Sequence, residues 1–327
     1  VIEQTYKRYT LHSIGEHQET KVLFDQYEDG ITKSHYNCKK IIDLNILKPK
    51  GKLLDIGCHY GSFLQSFHHY FPHWELKGID VSDRFKQTVE SISDNCSFST
   101  KKVEDLDGTF DVIVITHVLE HIDNIPQFIN TIRNKISADG LIYLQVNNLE
   151  NNVFLPVIYE QFYNFTVQGL SDLLAKLGVQ INYIDLNTIP KEMTLVCQKC
   201  PIGSSNSVPM NDLNIEKNIK LIKFIEQNLR EYARLYTPIY ILGTTYVAKW
   251  MAANFSLNIV AFLDEDITAH DDELNGVKVI SPHLADTQHP VLLPFPLGQS
   301  KHLQTKLKNK FNLNGVIPPF NSETNLC

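Results

Sequence analysis

Two hydrophobic periods alternate along the first two hundred residues. A short apolar run through Leu53, Leu54 and Ile56, with Asp55 inside it, reads as a buried parallel strand. It stops at Gly57-Cys58-His59-Tyr60-Gly61, after which Phe63, Leu64 and Phe67 fall at helical spacing from Ser62 to near Pro72. Trp74 to Asp80 reads as a second strand, Ser82 to about Ser91 as a helix and Ser97 to Thr100 as a weak strand. Phe110 to His121 reads as a continuous buried strand with a polar end. Asn124-Ile125-Pro126 opens a helix whose apolar face is Ile125, Phe128, Ile129, Ile132 and Ile136, with Gly140 just past its end. Leu141–Val146 is a fifth strand, and a helix from Thr166 to Leu177, closed by Gly178, leads to strands Val179–Leu186 and Glu192–Lys199. The expected fold class is α/β, a seven-stranded doubly wound Rossmann-like sheet.

Outside this sheet the pattern changes twice. Residues 1–50 are polar and aromatic, with Tyr6, Tyr9, Phe24, Tyr27 and Tyr36 ahead of a helix-like run Cys38, Ile41, Ile42. This segment either covers the ligand edge of the sheet as a lid or packs its aromatic rings on the core. From Pro201 to Met210 the composition shifts to Pro, Gly and Ser, a linker. A long amphipathic helix from about Asn211 to Tyr236 follows. Pro238–Ala248, Asn258–Asp264, Gly276–Ile280, Val291–Pro294 and Gly315–Ile317 then repeat the strand-turn-helix logic in a smaller α/β domain. The expected boundaries are 1–50, 51–200 and 211–327.

At 327 residues and 43% apolar content the chain can bury two cores. Its net charge of −7 argues against a nucleic-acid backbone as the main partner. With no apolar run of about 18 residues and no signal-peptide pattern, the reading is a soluble cytoplasmic protein without a membrane partner. Whether residues precede Val1 is open, as is the oligomeric state. The six scattered cysteines suit reduced thiols. Cys197-Gln198-Lys199-Cys200 has the spacing of half a zinc site, but no second pair follows, and no metal is expected.

Candidate chemistry collects at the predicted carboxyl ends of the strands. Gly57 and Gly61 lack a Cβ, so a ligand can approach the turn closely beneath the free N–H groups of the new helix. A dinucleotide fingerprint would need a third glycine, and a phosphate loop would need Gly-Lys-Ser/Thr. Asp55 in the strand end would repel a pyrophosphate but receive a cationic amino group. Asp80 stands about 25 residues beyond Asp55, near the offset at which an acid grips ribose hydroxyls. A turn residue there, with Ser82 capping the next helix, is compatible with that role. His117 and His121 stand where the fourth strand opens, and either could orient a substrate or take a proton.

The pattern Asp55-x-Gly57-Cys58-x-x-Gly61 resembles the first motif of class I S-adenosylmethionine (SAM) dependent methyltransferases, over roughly residues 45 to 199. That resemblance implies SAM as cofactor and S-adenosylhomocysteine as product, held by Asp55, Gly57, Cys58, Gly61, Asp80 and Val81, with His117 at the same edge. It also implies that Glu104 or Asp105 takes the adenine amino group. The aromatic stretch Phe154–Thr166 is similar to a segment of sugar C-methyltransferases that act on nucleotide-linked deoxysugars, which carry Y-x-E-H-x-x-Y-F-S. Glu160, Phe165 and Thr166 fit it, whereas the family's basic histidine is Gln161 here, and Ile158 and Asn164 replace tyrosines. The second half resembles the C-terminal domain of the same enzymes through Leu263-Asp264-x-Asp266, Leu274-Asn275-Gly276-Val277-x-Val279 and Val291-Leu292-Leu293-Pro294-Phe295-Pro296. The expectation is methyl transfer to carbon, oxygen or nitrogen of a small molecule, a nucleotide-linked sugar by this resemblance, with Glu160, His117 or His121 as base. A small-molecule methyltransferase unrelated to sugars, a nucleotide-binding oxidoreductase and an idle binding protein are the competing readings.

Overall fold

The computed structural model describes residues 21–22, 31–152, 155, 161–189, 191–204, 220, 223, 226–227, 238–255, 257–265, 270, 273–295 and 297–317. Most of the aromatic N-terminal stretch, Ile158, Glu160, the linker from residue 205, nearly all of the expected helix 211–236, and Cys327 lie outside the described residues. The chain divides into two compact units, residues 1–147 with 161–211, and residues 148–160 with 212–327.

In the first unit, strands β1 (Lys21–Val22) and β2 (Ile31–Thr32) form a small antiparallel pair, and helix α1 (Lys33–Asp43) follows directly. Thr32 caps α1 by accepting the His35 N–H. Then come β3 (Lys52–Ile56), α2 (Ser62–Tyr70), β4 (Glu75–Ile79), α3 (Lys86–Glu90), β5 (Cys96–Ser99), β6 (Phe110–Thr116), α4 (Ile125–Lys135), β7 (Ile136–Asn147), α5 (Val167–Lys176), β8 (Val179–Asp185) and β9 (Glu192–Lys199). The sheet order is β5-β4-β3-β6-β7-β9-β8. It is parallel from β5 to β7, and β9 runs antiparallel to both its neighbours. This is the expected seven-stranded Rossmann-like sheet.

Alternation along the central strands explains why both faces are covered. Leu54, Ile56, Ile113, Ile115, Ile142 and Leu144 enter one core with Ile125, Ile129 and Ile132 of α4 and Leu170 and Leu174 of α5. Leu53, Val112, Val114, Leu141 and Tyr143 enter the other with Cys38 and Ile41 of α1 and Leu64 and Phe67 of α2. Tyr36 is buried on α1 as well.

Three expected elements differ. The β6 strand ends at Thr116 rather than running to His121, because His117 takes a positive φ of 52° and a 3-10 turn, Leu119–His121, follows. The helix expected from Ser82 is only Lys86–Glu90, since the Ser82 N–H is held by Asp80 Oδ1 and the Arg84 N–H by Ser82 Oγ. Helix α4 stops at Lys135, so Gly140 is no helix terminator. Ile136 already pairs with Phe110, and Gly140 lies within β7 beside a register shift.

The second unit holds β10 (Ile239–Leu242), α6 (Tyr246–Asn254), β11 (Ile259–Leu263), β12 (Glu273–Leu274), β13 (Val277–Ile280), β14 (Val291–Leu292), α7 (Leu297–Phe311) and β15 (Gly315–Val316). Its sheet order is β12-β13-β11-β10-β14-β15, parallel apart from the β12/β13 pair. Ile241, Phe262 and Leu292 pack on Ala248 and Met251 at one face, and Tyr240, Leu263 and Leu293 pack with Leu307 at the other. Among the described residues no helix is long and apolar enough to cross a membrane.

Candidate active site

Strand order reverses between β3 and β6, and in open parallel sheets the crevice outside the strand ends at such a point receives ligands. The turn leaving β3 lies there. Gly57, exposed at φ +73°, and Cys58 both donate their N–H to the Ile79 carbonyl, at 2.8 and 3.1 Å. A Cβ on Gly57 would stand 2.5 Å from Val118 Cγ2, so the turn after β3 and the turn after β6 meet at a bare backbone position. Gly61, at φ +83°, is buried and caps α2. Its missing Cβ makes room for Ile92 and Val89, so the side-chain side of this position is taken up by packing within the unit. Cys58 is a packing group too. Its thiol fills the space against Gly78, and burial with the nearby Asp55 and Asp80 charges pushes its pKa well up, away from reactivity.

Asp80 joins the turns after β3 and β4. One carboxylate oxygen accepts the His59 N–H at 3.0 Å and the other the Ser82 N–H at 3.2 Å. The remaining lone pairs of a half-buried carboxylate can accept ribose-type hydroxyls. Val81 beside it is 58% exposed, an apolar surface at the same edge. Asp55 is buried one residue before the end of β3. Burial first, and the Asp80 charge second, raise its carboxyl well above the usual range. Glu104 and Asp105 are exposed on the 3-10 turn after β5, and parallel pairing places that turn at the same edge.

The densest chemistry surrounds His117. Lys33 Nζ lies 2.6 Å from its Nε2 and donates to Glu192 Oε1 at 2.7 Å. Glu192 Oε1 is 3.2 Å from the same ring nitrogen, and Glu120 Oε1 is 3.4 Å from Nδ1. Glu120 is fully buried and accepts the Asn147 N–H at 2.9 Å. Burial and the Lys33 charge work to lower the His117 pKa, but Glu192 and Glu120 prevail and raise it to about 9. Burial opposes ionisation of both acids as well, yet the His117 charge and hydrogen bonds hold Glu120 low, and His117 and Lys33 together hold Glu192 down to about 2. One oxygen of each acid, Glu120 Oε2 and Glu192 Oε2, is buried without a hydrogen-bond partner, as is Gln161 Oε1. The loop carrying Gln161 is anchored here, since Phe162 donates its N–H to the Glu120 carbonyl at 2.8 Å. His121 closes the 3-10 turn, half-buried.

Asp55, Gly57, Asp80, Val81, Glu104, Asp105 and His117 thus share one edge, Cys58 and Gly61 support it from within, and Glu160 lies outside the described residues. Lys33, Glu120 and Glu192 are the functional candidates that motif reading misses. Glu120 follows His117 by three residues, and Glu192 is a charge opening a buried strand, so each leaves a faint signal. Lys33 leaves none, because its partners are 84 and 159 residues away.

Residues 31–184 match a family model described as a methyltransferase domain. That match runs from β2 into β8 of the first unit, so just under half of the chain resembles a methyltransferase domain. A curated relative, carboxy-S-adenosyl-L-methionine synthase of Campylobacter hominis, is 28% identical over 106 residues. The alignment covers 30% of this chain and 45% of that protein, so the chain spans less than half the length of the curated relative it matches. Among solved structures, the mitomycin 7-O-methyltransferase is similar with a TM-score of 0.43 and 13% identity, over 51% of this chain and 54% of that one. The 1,6-didemethyltoxoflavin-N1-methyltransferase of Burkholderia thailandensis has a TM-score of 0.42 and 17% identity, over 51% and 79%.

Proposed function

We propose that the chain is a SAM-dependent methyltransferase that modifies a small polar acceptor. The observation that carries the reading is the interlock of the bare Gly57 turn with Asp80 at the point where strand order reverses. The residues present fit the cofactor. Asp55 is a buried carboxyl with no ion-pair partner among the described residues, and an α-ammonium would supply a counter-charge. Asp80 keeps acceptor capacity for a ribose diol, Val81 offers an apolar face to a purine, and Glu104 or Asp105 can accept from an exocyclic amine.

When bound, SAM supplies a methyl group already activated by its positive sulfur. The chain's own share of the work is alignment of acceptor and methyl group, and acceptance of one proton where the acceptor carries it. Gln161 in place of a basic histidine disfavours carbon methylation, because an amide cannot take up a proton at working pH. The His117 cluster favours oxygen or nitrogen acceptors. A nucleotide-linked sugar is the acceptor class to test first, on the likeness of Phe154–Thr166 and of the second half to the sugar enzymes. Incubation with methyl-labelled SAM and a panel of nucleotide sugars, free sugars and heteroaromatic amines tests both levels. Label in a nucleotide sugar supports the full reading, label only elsewhere removes the sugar, and no transfer to any class counts against the activity.

A further inference from the structure

Lys33 belongs to the first turn of α1, and it reaches the carboxyl edge of the sheet at His117 and Glu192. A nitrogen–nitrogen distance of 2.6 Å admits one hydrogen between Lys33 Nζ and His117 Nε2. In the neutral form of the ring, the form able to take up a proton, Nε2 accepts from the ammonium and Nδ1–H is directed to Glu120 Oε1, 3.4 Å away. The His117 backbone is held at φ +52°, a region that a non-glycine residue occupies at a cost. The ring is therefore pinned from three elements: Lys33 of α1, Glu192 of β9 and Glu120 of the turn after β6. These are the charged groups that face the ring among the described residues.

We propose that Lys33 and Glu192 are positioning residues that act through His117, fixing the orientation of its ring and setting how readily that ring takes the proton an acceptor loses on methylation. This rests on the methyltransferase reading above. In the step, the acceptor's X–H bond breaks as the X–CH3 bond forms, and the C–S bond breaks with its electron pair going to sulfur. The proton passes to His117 Nε2, whose lone pair Lys33 gives up while keeping its 2.7 Å bond to Glu192, and the resulting imidazolium lies between the Glu120 and Glu192 carboxylates. The arrangement makes α1 part of the site, although the motifs of the fold all lie beyond it.

The two positioning residues push the ring in opposite directions. Lys33 disfavours a second positive charge, and Glu192 favours it. The experiment is a pH titration of the histidine ring nitrogens by two-dimensional NMR on the full chain, with the His117 signal assigned from a His117→Gln sample. Wild-type His117 is expected to titrate above the ordinary imidazole range, near pH 9, so the neutral ring that takes the proton is the minor form at pH 7 and grows as pH rises. Lys33→Met should raise its proton affinity about tenfold and Glu192→Gln should lower it by a similar factor. Each variant is an independent arm, so misfolding of one leaves the other decisive. A midpoint that stays put, or moves the same way in both, overturns the proposal. Saturating S-adenosylhomocysteine, with binding confirmed by calorimetry, should shift the His117 signal. Binding without any shift removes His117 and its positioning residues from the site, whereas absence of binding defeats the methyltransferase reading itself.

Discussion

Replacing Gly57 by alanine tests the turn at the centre of the site. Alanine at φ +73° costs about 1–2 kcal/mol, because the Cβ crowds the following carbonyl. The new carbon would lie 2.5 Å from Val118 Cγ2, where an ordinary contact between carbons is about 3.5–4.0 Å. Overpacking of this kind adds about 1–3 kcal/mol, so the total is about 2–5 kcal/mol. For a unit of this size that corresponds to a melting temperature lower by roughly 4–20 °C. Val118→Ala removes the obstructing methyl group, so in the Gly57→Ala/Val118→Ala protein the packing share should be recovered while the backbone share persists. A double-mutant cycle by urea denaturation therefore yields a coupling of about 1–3 kcal/mol. S-adenosylhomocysteine affinity should fall at least tenfold in Gly57→Ala and return in part with the second change. If Gly57→Ala is as stable as the wild type, or if Val118→Ala brings no recovery, the bare turn is not the constraint described.

Asp80→Asn keeps the size of the side chain but removes its charge. Loss of about 1.5–3 kcal/mol in charge-assisted bonds should weaken SAM binding roughly ten- to hundredfold by calorimetry, and unchanged affinity would remove the ribose role. Glu192 provides a pH test. Its pKa of about 2 lies below its unfolded value near 4.3, so its contribution to stability is present above that value and fades as pH falls towards 2. Glu192→Gln should therefore be less stable than wild type at pH 7, with the two curves converging in urea titrations between about pH 4 and 2. A gap that holds constant to pH 2 would contradict the ion-pair account.

The fold is legible because its signals are local and periodic. Glu192–Lys199 stands with the bounds its pattern predicts, and Thr166 caps α5 where the chain places it. The misplaced boundaries share one cause, competition from partners distant in sequence. Ile136 fits the apolar face of a helix, but its pairing with Phe110 draws it into β7. Ser82 would start a helix, but Asp80 holds its N–H in a turn. The same limit applies to the site. The acids and glycines next to strand ends are visible because the fold places strand ends together, and the shared edge of Asp55, Gly57 and Asp80 follows from that alone. The His117 cluster draws on α1, the turn after β6, β7 and β9, and no spacing within one element announces that Lys33 and Glu192 converge on one imidazole.

The central claim is that the carboxyl edge of the larger sheet binds an adenosyl sulfonium compound. Calorimetric titration of the wild-type chain with SAM, S-adenosylhomocysteine and NAD tests it most directly. Saturable binding of the first two with one site per chain, and none of NAD, is the predicted result. NAD binding, or no heat from either adenosyl compound, would contradict it.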